Sequence, residues 1–267
     1  MRVVIDKSAL FGLPAQRIDA ICREHEVWMP EVLFYELLTT DPAQRARLFR
    51  KIPRRERPFV LVGDGGFLFG RELEYGRPVD VVRDSGMEEV RWIFNERLGE
   101  EDWFPEEYRG ALDEWRTAMN ASIESFRERA AFTTHAFFPE LNNLRNGQID
   151  RIQAIQRELS GNSARVREIY GAVTEANGAA VPADFGPNWI GYRLIQAELM
   201  WALEHAARYG TGIVDAPMPR LENYVCDLKY AVVASMADAF ICHDVIACRL
   251  FRLVAPDVLC GSDLQEL

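Results

Sequence analysis

Val3-Val4-Ile5-Asp6 and, near the other end of the chain, Ala239-Phe240-Ile241-Cys242-His243-Asp244 share one pattern, in which an apolar run leads to an aspartate. Short, wholly apolar runs are typical of strands that are buried on both faces of a parallel sheet. In open α/β sheets the carboxyl ends of such strands line the crevice where ligands bind. The sequence therefore predicts that the two runs are neighbouring parallel strands and that Asp6 and Asp244 meet in one pocket. Two carboxylates in one pocket either bind a cation or repel each other.

Strands and helices alternate around both of these runs, which indicates right-handed parallel crossovers and an α/β fold. We expect a parallel sheet that is flanked by helices and built from both ends of the chain. The predicted elements are a helix over Pro14–Glu24, a strand around Val27-Trp28-Met29, a helix opened by Pro30, a helix over Leu221–Ala237, the strand over Ala239–Cys242, a helix over Val245–Leu253 and a strand at Val258-Leu259.

The middle of the chain is predicted to be a helical insertion in this sheet. Its apolar residues recur at helical spacing, and Gly, Pro and Asn separate the segments. The predicted organisation is an α/β core formed by residues 1–85 and 210–267, with a mainly helical insertion at 86–209. The helices of the insertion are predicted over Met87–Leu98, Pro105–Ala131, Pro139–Leu159, Ser163–Ala176 and Trp189–Tyr209.

Composition and charge exclude several classes of protein. The 267 residues are 48% hydrophobic, enough for a full core, and the net charge of −10 argues against a protein that coats nucleic acid over its whole surface. A local basic track is still compatible with that charge. No apolar run approaches the length of a membrane span, and charged side chains within the first eight residues leave no room for a signal peptide, so we expect no membrane partner.

The cysteines and the absent motifs narrow the chemistry further. Five cysteines without a C-x-x-C pair predict reduced thiols and a cytoplasmic location. The four histidines have no zinc-ligand spacing, and the sequence has no dinucleotide-binding glycine motif, phosphate-binding loop or G-x-S-x-G motif. Zinc binding, nucleotide-cofactor binding and serine hydrolysis are therefore not predicted.

Three segments together carry a family resemblance. Asp6-Lys7-Ser8 follows the first strand, Glu36 lies in the helix that Pro30 opens, and Asp227–Asp244 is a helix that leads into a strand ending in Cys242-His243-Asp244. This layout resembles the PIN-domain family of metal-dependent nucleases. The resemblance covers the two ends of the chain and does not extend to the helical middle.

The resemblance implies roles for particular residues. Asp6, Glu36, Asp227 and Asp244 would be the catalytic, metal-binding acids, and Ser8 would be their small polar partner. Cys242 stands where the family usually has Thr or Ser, which removes a hydroxyl from the surroundings of the site. The resemblance also implies a PIN-like fold for the two ends of the chain and a preference for RNA.

The residue types support the same chemistry without the family. Carboxylates suit the hard cations Mg²⁺ and Mn²⁺, which would serve as the cofactor. Such an ion polarises a phosphoryl oxygen, activates water and stabilises the leaving oxygen, as hydrolysis of a phosphodiester requires. The predicted function is thus a divalent-metal-dependent nuclease, a hydrolase that acts on RNA. The alternatives are a non-catalytic PIN-like binding or regulatory protein and a metal-dependent phosphatase.

Each candidate residue also has a purely structural interpretation. Asp6 and Asp244 could simply cap the helices that follow them, and Asp238 is expected to lie at the opposite edge of the sheet. A run of basic residues follows the helix that contains Glu36, and it is either a solvated helix face or a surface that binds the phosphates of a nucleic acid. In the second case its contacts would not depend on the nucleic-acid sequence, and they would come from Arg45, Arg47, Arg50, Lys51, Arg54, Arg55 and Arg57. The helical insertion could hold a second copy of the chain or a protein partner.

Overall fold

The fold is described from a computed structural model. It describes residues 1–55, 57–86, 97, 100, 103, 106–138, 149–175, 180–209 and 218–263. The helix predicted over Met87–Leu98 falls outside these residues except for Arg97, and so does the first part of the helix predicted over Pro139–Leu159.

The centre of the molecule is a five-stranded, wholly parallel sheet in the order β3-β2-β1-β4-β5. In β1, Val3, Val4 and Ile5 are completely buried, as expected for a central strand that is covered on both faces. β1 pairs with β4 so that Val3 lies opposite Ala239 and Ile5 opposite Ile241. The predicted pairing of these distant strands is confirmed. The strands are β1 Arg2–Ile5, β2 Glu26–Pro30, β3 Val60–Val62, β4 Ala239–Ile241 and β5 Leu259–Gly261.

Helices flank this sheet and fill the middle of the chain, so the predicted α/β fold with a helical region is confirmed. A 3₁₀ turn at Arg83–Ser85 follows the fifth helix. The α-helices in the described residues are α1 Lys7–Gly12, α2 Ala15–Glu24, α3 Glu31–Thr39, α4 Pro42–Phe49, α5 Gly65–Tyr75, α6 Glu107–Phe137, α7 Ile149–Ser160, α8 Ser163–Glu175, α9 Ile190–Tyr209, α10 Met218–Ala234 and α11 Val245–Val254.

Several boundaries differ from the prediction: α6 ends at Phe137 rather than Ala131, and α10 begins at Met218 rather than Leu221. Two other differences have clear local reasons. Pro30 is the N-cap of α3 and the last residue of β2, so the helix itself begins at Glu31. Helix α10 ends at Ala234, three residues before the predicted end. The chain then turns through Ser235–Ala237, and the amide of Asp238 donates to the carbonyl of Arg2 at 2.9 Å, which brings the chain into the sheet.

The helical middle is joined to the sheet by α9. This helix packs against α5, α10 and α11 of the predicted core segments and against α6, α7 and α8 of the helical middle. The buried carboxylate of Glu72 in α5 accepts the amides of Ile190 and Gly191, each at 2.7 Å, at the start of α9. The hydrophobic core therefore runs without interruption from the sheet into the helical region.

Among the described residues, no helix is both long and apolar enough to cross a lipid bilayer.

Candidate functional site

Asp6 and Asp244 lie at the carboxyl ends of the adjacent strands β1 and β4, and each caps the helix that follows. The carboxylate of Asp6 accepts the amide of Ala9 at 2.7 Å. That of Asp244 accepts the amides of Ile246 at 2.7 Å and Ala247 at 2.9 Å. Both acids therefore cap helices, as their structural interpretation predicts. A capping carboxylate still has oxygen lone pairs to offer to a cation, so capping does not decide between the two roles.

Ser8 joins the two strand ends. Its hydroxyl lies 2.8 Å from both carboxylate oxygens of Asp6, to which it donates, and it accepts the amide of His243 at 2.9 Å. Asp6 is the N-cap of α1, directly after β1, and His243 lies two residues after the end of β4. The side chain of Ser8 therefore connects the ends of β1 and β4. The sequence placed Ser8 beside Asp6, and that placement agrees with the structure.

Glu36 enters the same region from α3. Its carboxylate accepts the hydroxyl of Tyr230 at 2.7 Å and forms an ion pair with Lys7 at 3.5 Å. Burial raises the pKa of Glu36, and the charge of Lys7 and the bond from Tyr230 oppose that rise. The negative charge of Asp6 acts in the same direction as burial. Glu36 is therefore a partly buried acid whose pKa is influenced by the charge of Asp6 and which forms an ion pair with Lys7.

Asp227, on α10, is the acid whose charge is least compensated. It is partly buried, and within the described part of the chain its carboxylate accepts no hydrogen bond and forms no ion pair. Its pKa is raised well above the ordinary range by burial, and then by the negative charges of Asp244, Asp6 and Glu36. The fold thus gathers all four predicted acids into one electrostatically coupled cluster, which we call the acid cluster.

Cys242 keeps a contact with the acid cluster despite lacking a hydroxyl. Its sulfur accepts the amide of Asp244 at 3.3 Å and lies 4.0 Å from the hydroxyl of Ser8. Burial raises the pKa of Asp6, while hydrogen bonds from Cys242, Ala9 and Ser8 oppose the rise. The thiol of Cys242 therefore lies beside Asp6 and donates a weak hydrogen bond to its carboxylate.

The donor set of the acid cluster fits a hard divalent cation, although its side chains are not arranged as a finished cage. In the ranges that the structure describes, no three His, Cys, Asp or Glu side chains stand in position to hold one ion together. Mg²⁺ keeps several waters and is usually bound by one or two carboxylates together with substrate phosphates. Asp227 is partly buried and has no partner in the part of the chain that the structure describes. It is the first residue that could hold such an ion, together with Asp6, Glu36 and Asp244.

The basic run divides into structural and exposed side chains. Arg45 is buried and donates to the carbonyl of Trp103 at 2.9 Å. Lys51 donates to the carbonyls of Leu10, Phe11 and Leu13 at 2.6 to 2.8 Å and so closes the end of α1. Arg55 donates to a carboxylate oxygen of Asp19 at 2.7 Å and to the carbonyl of Cys22 at 3.2 Å. The exposed members of the run are Arg47, Arg50, Arg54 and Arg57.

Sequence reasoning missed Lys7 and Tyr230 as part of the site. Lys7 directly follows Asp6, and Tyr230 lies one helical turn after Asp227, so both are neighbours in sequence of predicted acids. Their common partner is Glu36, on a different helix, which no local pattern reveals. Asp238 was placed correctly at the opposite edge of the sheet, where its carboxylate accepts the backbone amide and the guanidinium of Arg2, both at 2.7 Å.

Comparison of the chain with known protein families, with curated proteins and with solved structures found no match. The functional argument therefore depends on the geometry and charges of the acid cluster.

Proposed function

We propose that this protein is a PIN-like nuclease that uses Mg²⁺ or Mn²⁺ to hydrolyse phosphodiester bonds in RNA. The observation that carries the proposal is Asp227, a partly buried carboxylate that has no hydrogen-bond or ion-pair partner among the described residues and feels the charges of three other acids. A fold does not retain such an arrangement for its stability, because uncompensated like charges in a partly buried site are unfavourable. A divalent cation removes that cost.

The residues around the acids would prepare the site for this chemistry. Ser8 orients the carboxylate of Asp6, and Tyr230 orients that of Glu36. When bound, a divalent ion supplies a Lewis acid for a phosphoryl oxygen and lowers the pKa of a water molecule. Lys7, which is partly exposed beside Glu36, would add positive charge on the side from which a phosphate approaches.

The acids of the cluster differ in exposure. Asp6 is buried, with 4% of its surface exposed, whereas Asp244 is exposed. A substrate would therefore enter over Asp244. Lys51 of the basic run donates to carbonyls at the far end of α1, a helix of about 9 Å whose N-cap is Asp6. The exposed arginines of this run suit contacts to neighbouring phosphates of a polynucleotide, which a small phosphate monoester does not have.

The test combines metal binding with cleavage. Thermal melting of the wild type with millimolar Mn²⁺ should show a rise in melting temperature, because a ligand that binds only the folded state stabilises it by mass action. The Asp227→Asn variant should lose that rise. The Asp238→Asn variant should keep it, since Asp238 is an acid at the other end of β4 and is paired with Arg2.

Cleavage assays decide the reaction class. The wild type with Mn²⁺ should cut single-stranded RNA, and Asp227→Asn should not. A metal-dependent rise in melting temperature with hydrolysis of para-nitrophenyl phosphate but not of RNA would replace the nuclease by a phosphatase. Absence of any metal effect would leave the non-catalytic binding or regulatory protein, and it would also remove the reason to expect a cofactor. The cytoplasmic location predicted from the five cysteines, all of them free thiols, belongs to the same proposal.

A further inference from the structure

Three of the five cysteines converge on one cleft, beside the acid cluster but outside it. The cleft has a volume of about 560 Å³ and lies between the end of β4, helix α11 and strand β5. Its walls include Cys242, Cys248 and Cys260, with Arg252 and His243. The other two cysteines, Cys22 and Cys226, do not line this cleft. The convergence is a product of the fold, because the three thiols come from three different elements.

The thiols interact with one another in this cleft. The thiol of Cys248 donates to the carbonyl of Cys242 at 3.2 Å, and Cys248 interacts with the side chains of both Cys242 and Cys260. A disulfide requires the two sulfurs to approach to about 2 Å. Cys248 and Cys260 lie on α11 and β5, which pack against each other at this cleft, so rotation of the two side chains is the movement that bond formation requires. All five cysteines are reduced in this structure.

Two observations favour Cys260 over Cys242 as the partner of Cys248. Cys242 is only 1% exposed, and its sulfur is already held by the amide of Asp244, whereas Cys248 and Cys260 are 8% and 5% exposed. In addition, Arg252 lies one helical turn after Cys248 and donates to the carbonyl of Cys260 at 2.8 Å. Its guanidinium therefore lies beside this pair, and reactive cysteines are typically found next to such a positive charge.

We propose that Cys248 and Cys260 are a redox-active dithiol that a peroxide oxidises to an intramolecular disulfide. In the first step one sulfur takes an oxygen atom from hydrogen peroxide, giving a sulfenic acid and one water. In the second step the other thiol attacks that sulfur, the S–S bond forms, and the hydroxyl leaves with the thiol proton as a second water. The two thiols lose two electrons and the peroxide gains them. A dithiol reductant reverses the reaction by thiol exchange.

The test uses the full chain and needs no metal or nucleic acid. The reduced protein is treated with increasing hydrogen peroxide, remaining thiols are alkylated, and the products are measured by intact mass and by mapping of linked peptides. We expect a loss of two hydrogen masses at low peroxide, a linked peptide pair that contains Cys248 and Cys260, and full reversal by dithiothreitol. Mapping of the wild type answers the question even where a variant does not fold.

Three serine variants provide the controls. Cys248→Ser and Cys260→Ser should each abolish the linked product, and Cys22→Ser should leave it unchanged. Cys22 is the matched control because it is more exposed than the three thiols of the cleft. Burial nevertheless raises the pKa of Cys22 to about 12, so we expect it to react slowly. Oxidation of Cys22 before any bond forms in the cleft would overturn the proposal. A Cys242–Cys248 bond in the wild type would overturn the assigned pair.

Discussion

Replacement of Asp227 by Asn is expected to make the metal-free protein more stable at neutral pH. In the folded state the pKa of Asp227 is raised well above its ordinary value by burial and by three neighbouring acids. The unfolded chain has an ordinary carboxyl pKa of about 3.9. Stability is therefore lost as the pH rises above that value, and the loss levels off above the folded pKa. Asn has nearly the same shape and no charge, so the variant escapes this loss.

The size of the effect follows from the charges. Two unit charges about 8 Å apart interact by about 2 kcal/mol at an effective dielectric constant of 20. Asp227 faces three acids, but Asp244 is exposed and Glu36 is partly neutralised by Lys7, which weakens the sum. We expect Asp227→Asn to raise the free energy of unfolding by about 1–3 kcal/mol at pH 7, with the difference shrinking as the pH falls towards about 4.

The measurement is urea unfolding of metal-free protein across this pH range, with Asp238→Asn as the matched control. Asp238 has a lowered pKa because it accepts hydrogen bonds from Arg2. Its stabilising effect is present above the unfolded pKa and is lost as the pH falls, so this variant should be less stable at pH 7 by about 0.2–1 kcal/mol, as for an exposed ion pair. The two variants should thus shift stability in opposite directions. If Asp227→Asn is less stable than the wild type at pH 7 without metal, Asp227 is a structural residue and the electrostatic argument is wrong.

Two further predictions test the surroundings of the site. Replacing the exposed Arg47 and Arg57 by Ala should weaken binding to unrelated RNA sequences equally, and each lost single-strand phosphate contact should flatten the salt dependence of binding by about 0.7 in slope. Arg55→Ala should leave the slope unchanged, because the guanidinium of Arg55 is bound to Asp19. Fluorescence anisotropy over a salt series measures both slopes, and an unchanged slope for Arg47 and Arg57 would mean that the basic run is a solvated helix face. Glu72→Ala should lower the free energy of unfolding by about 3 kcal/mol, because it leaves the buried amides of Ile190 and Gly191 without an acceptor. The exposed Glu74→Ala should change it by less than about 0.5 kcal/mol, and equal effects of the two variants in urea unfolding would mean that Glu72 does not fasten α9 to α5.

The sequence was sufficient for the central part of the sheet, whereas the assignment of the four acids to a metal site stays a prediction. Val3–Ile5 and Ala239–Ile241 are apolar runs that end near an aspartate, and burial on both faces of a parallel sheet requires that pattern. β3 was not predicted, because it has only three residues and Val62 alone among them is buried. A strand so short and so little buried leaves no periodic signal.

The sequence could not predict which basic side chains of the run remain exposed, and the reason here is a different one. Lys51 and Arg55 belong to one basic run, yet their partners are carbonyls of α1 and α2 and the side chain of Asp19. Those partners lie some thirty to forty residues away in the chain and become neighbours only in the folded protein. A pattern of charges therefore indicated where positive residues are concentrated, and the tertiary structure decided which of them remain exposed.

The pairing of β1 with β4 has a consequence for synthesis of the protein on the ribosome. Asp6 and Glu36 are made early, but Asp227 and Asp244 emerge only after the whole helical middle, and β1 lacks one of its two neighbours until then. Pairing between segments so distant in sequence is slow, and an apolar strand is prone to aggregate until it is paired. We therefore expect Val3–Ile5 to need protection during translation. The acid cluster is also incomplete until β4 has joined the sheet.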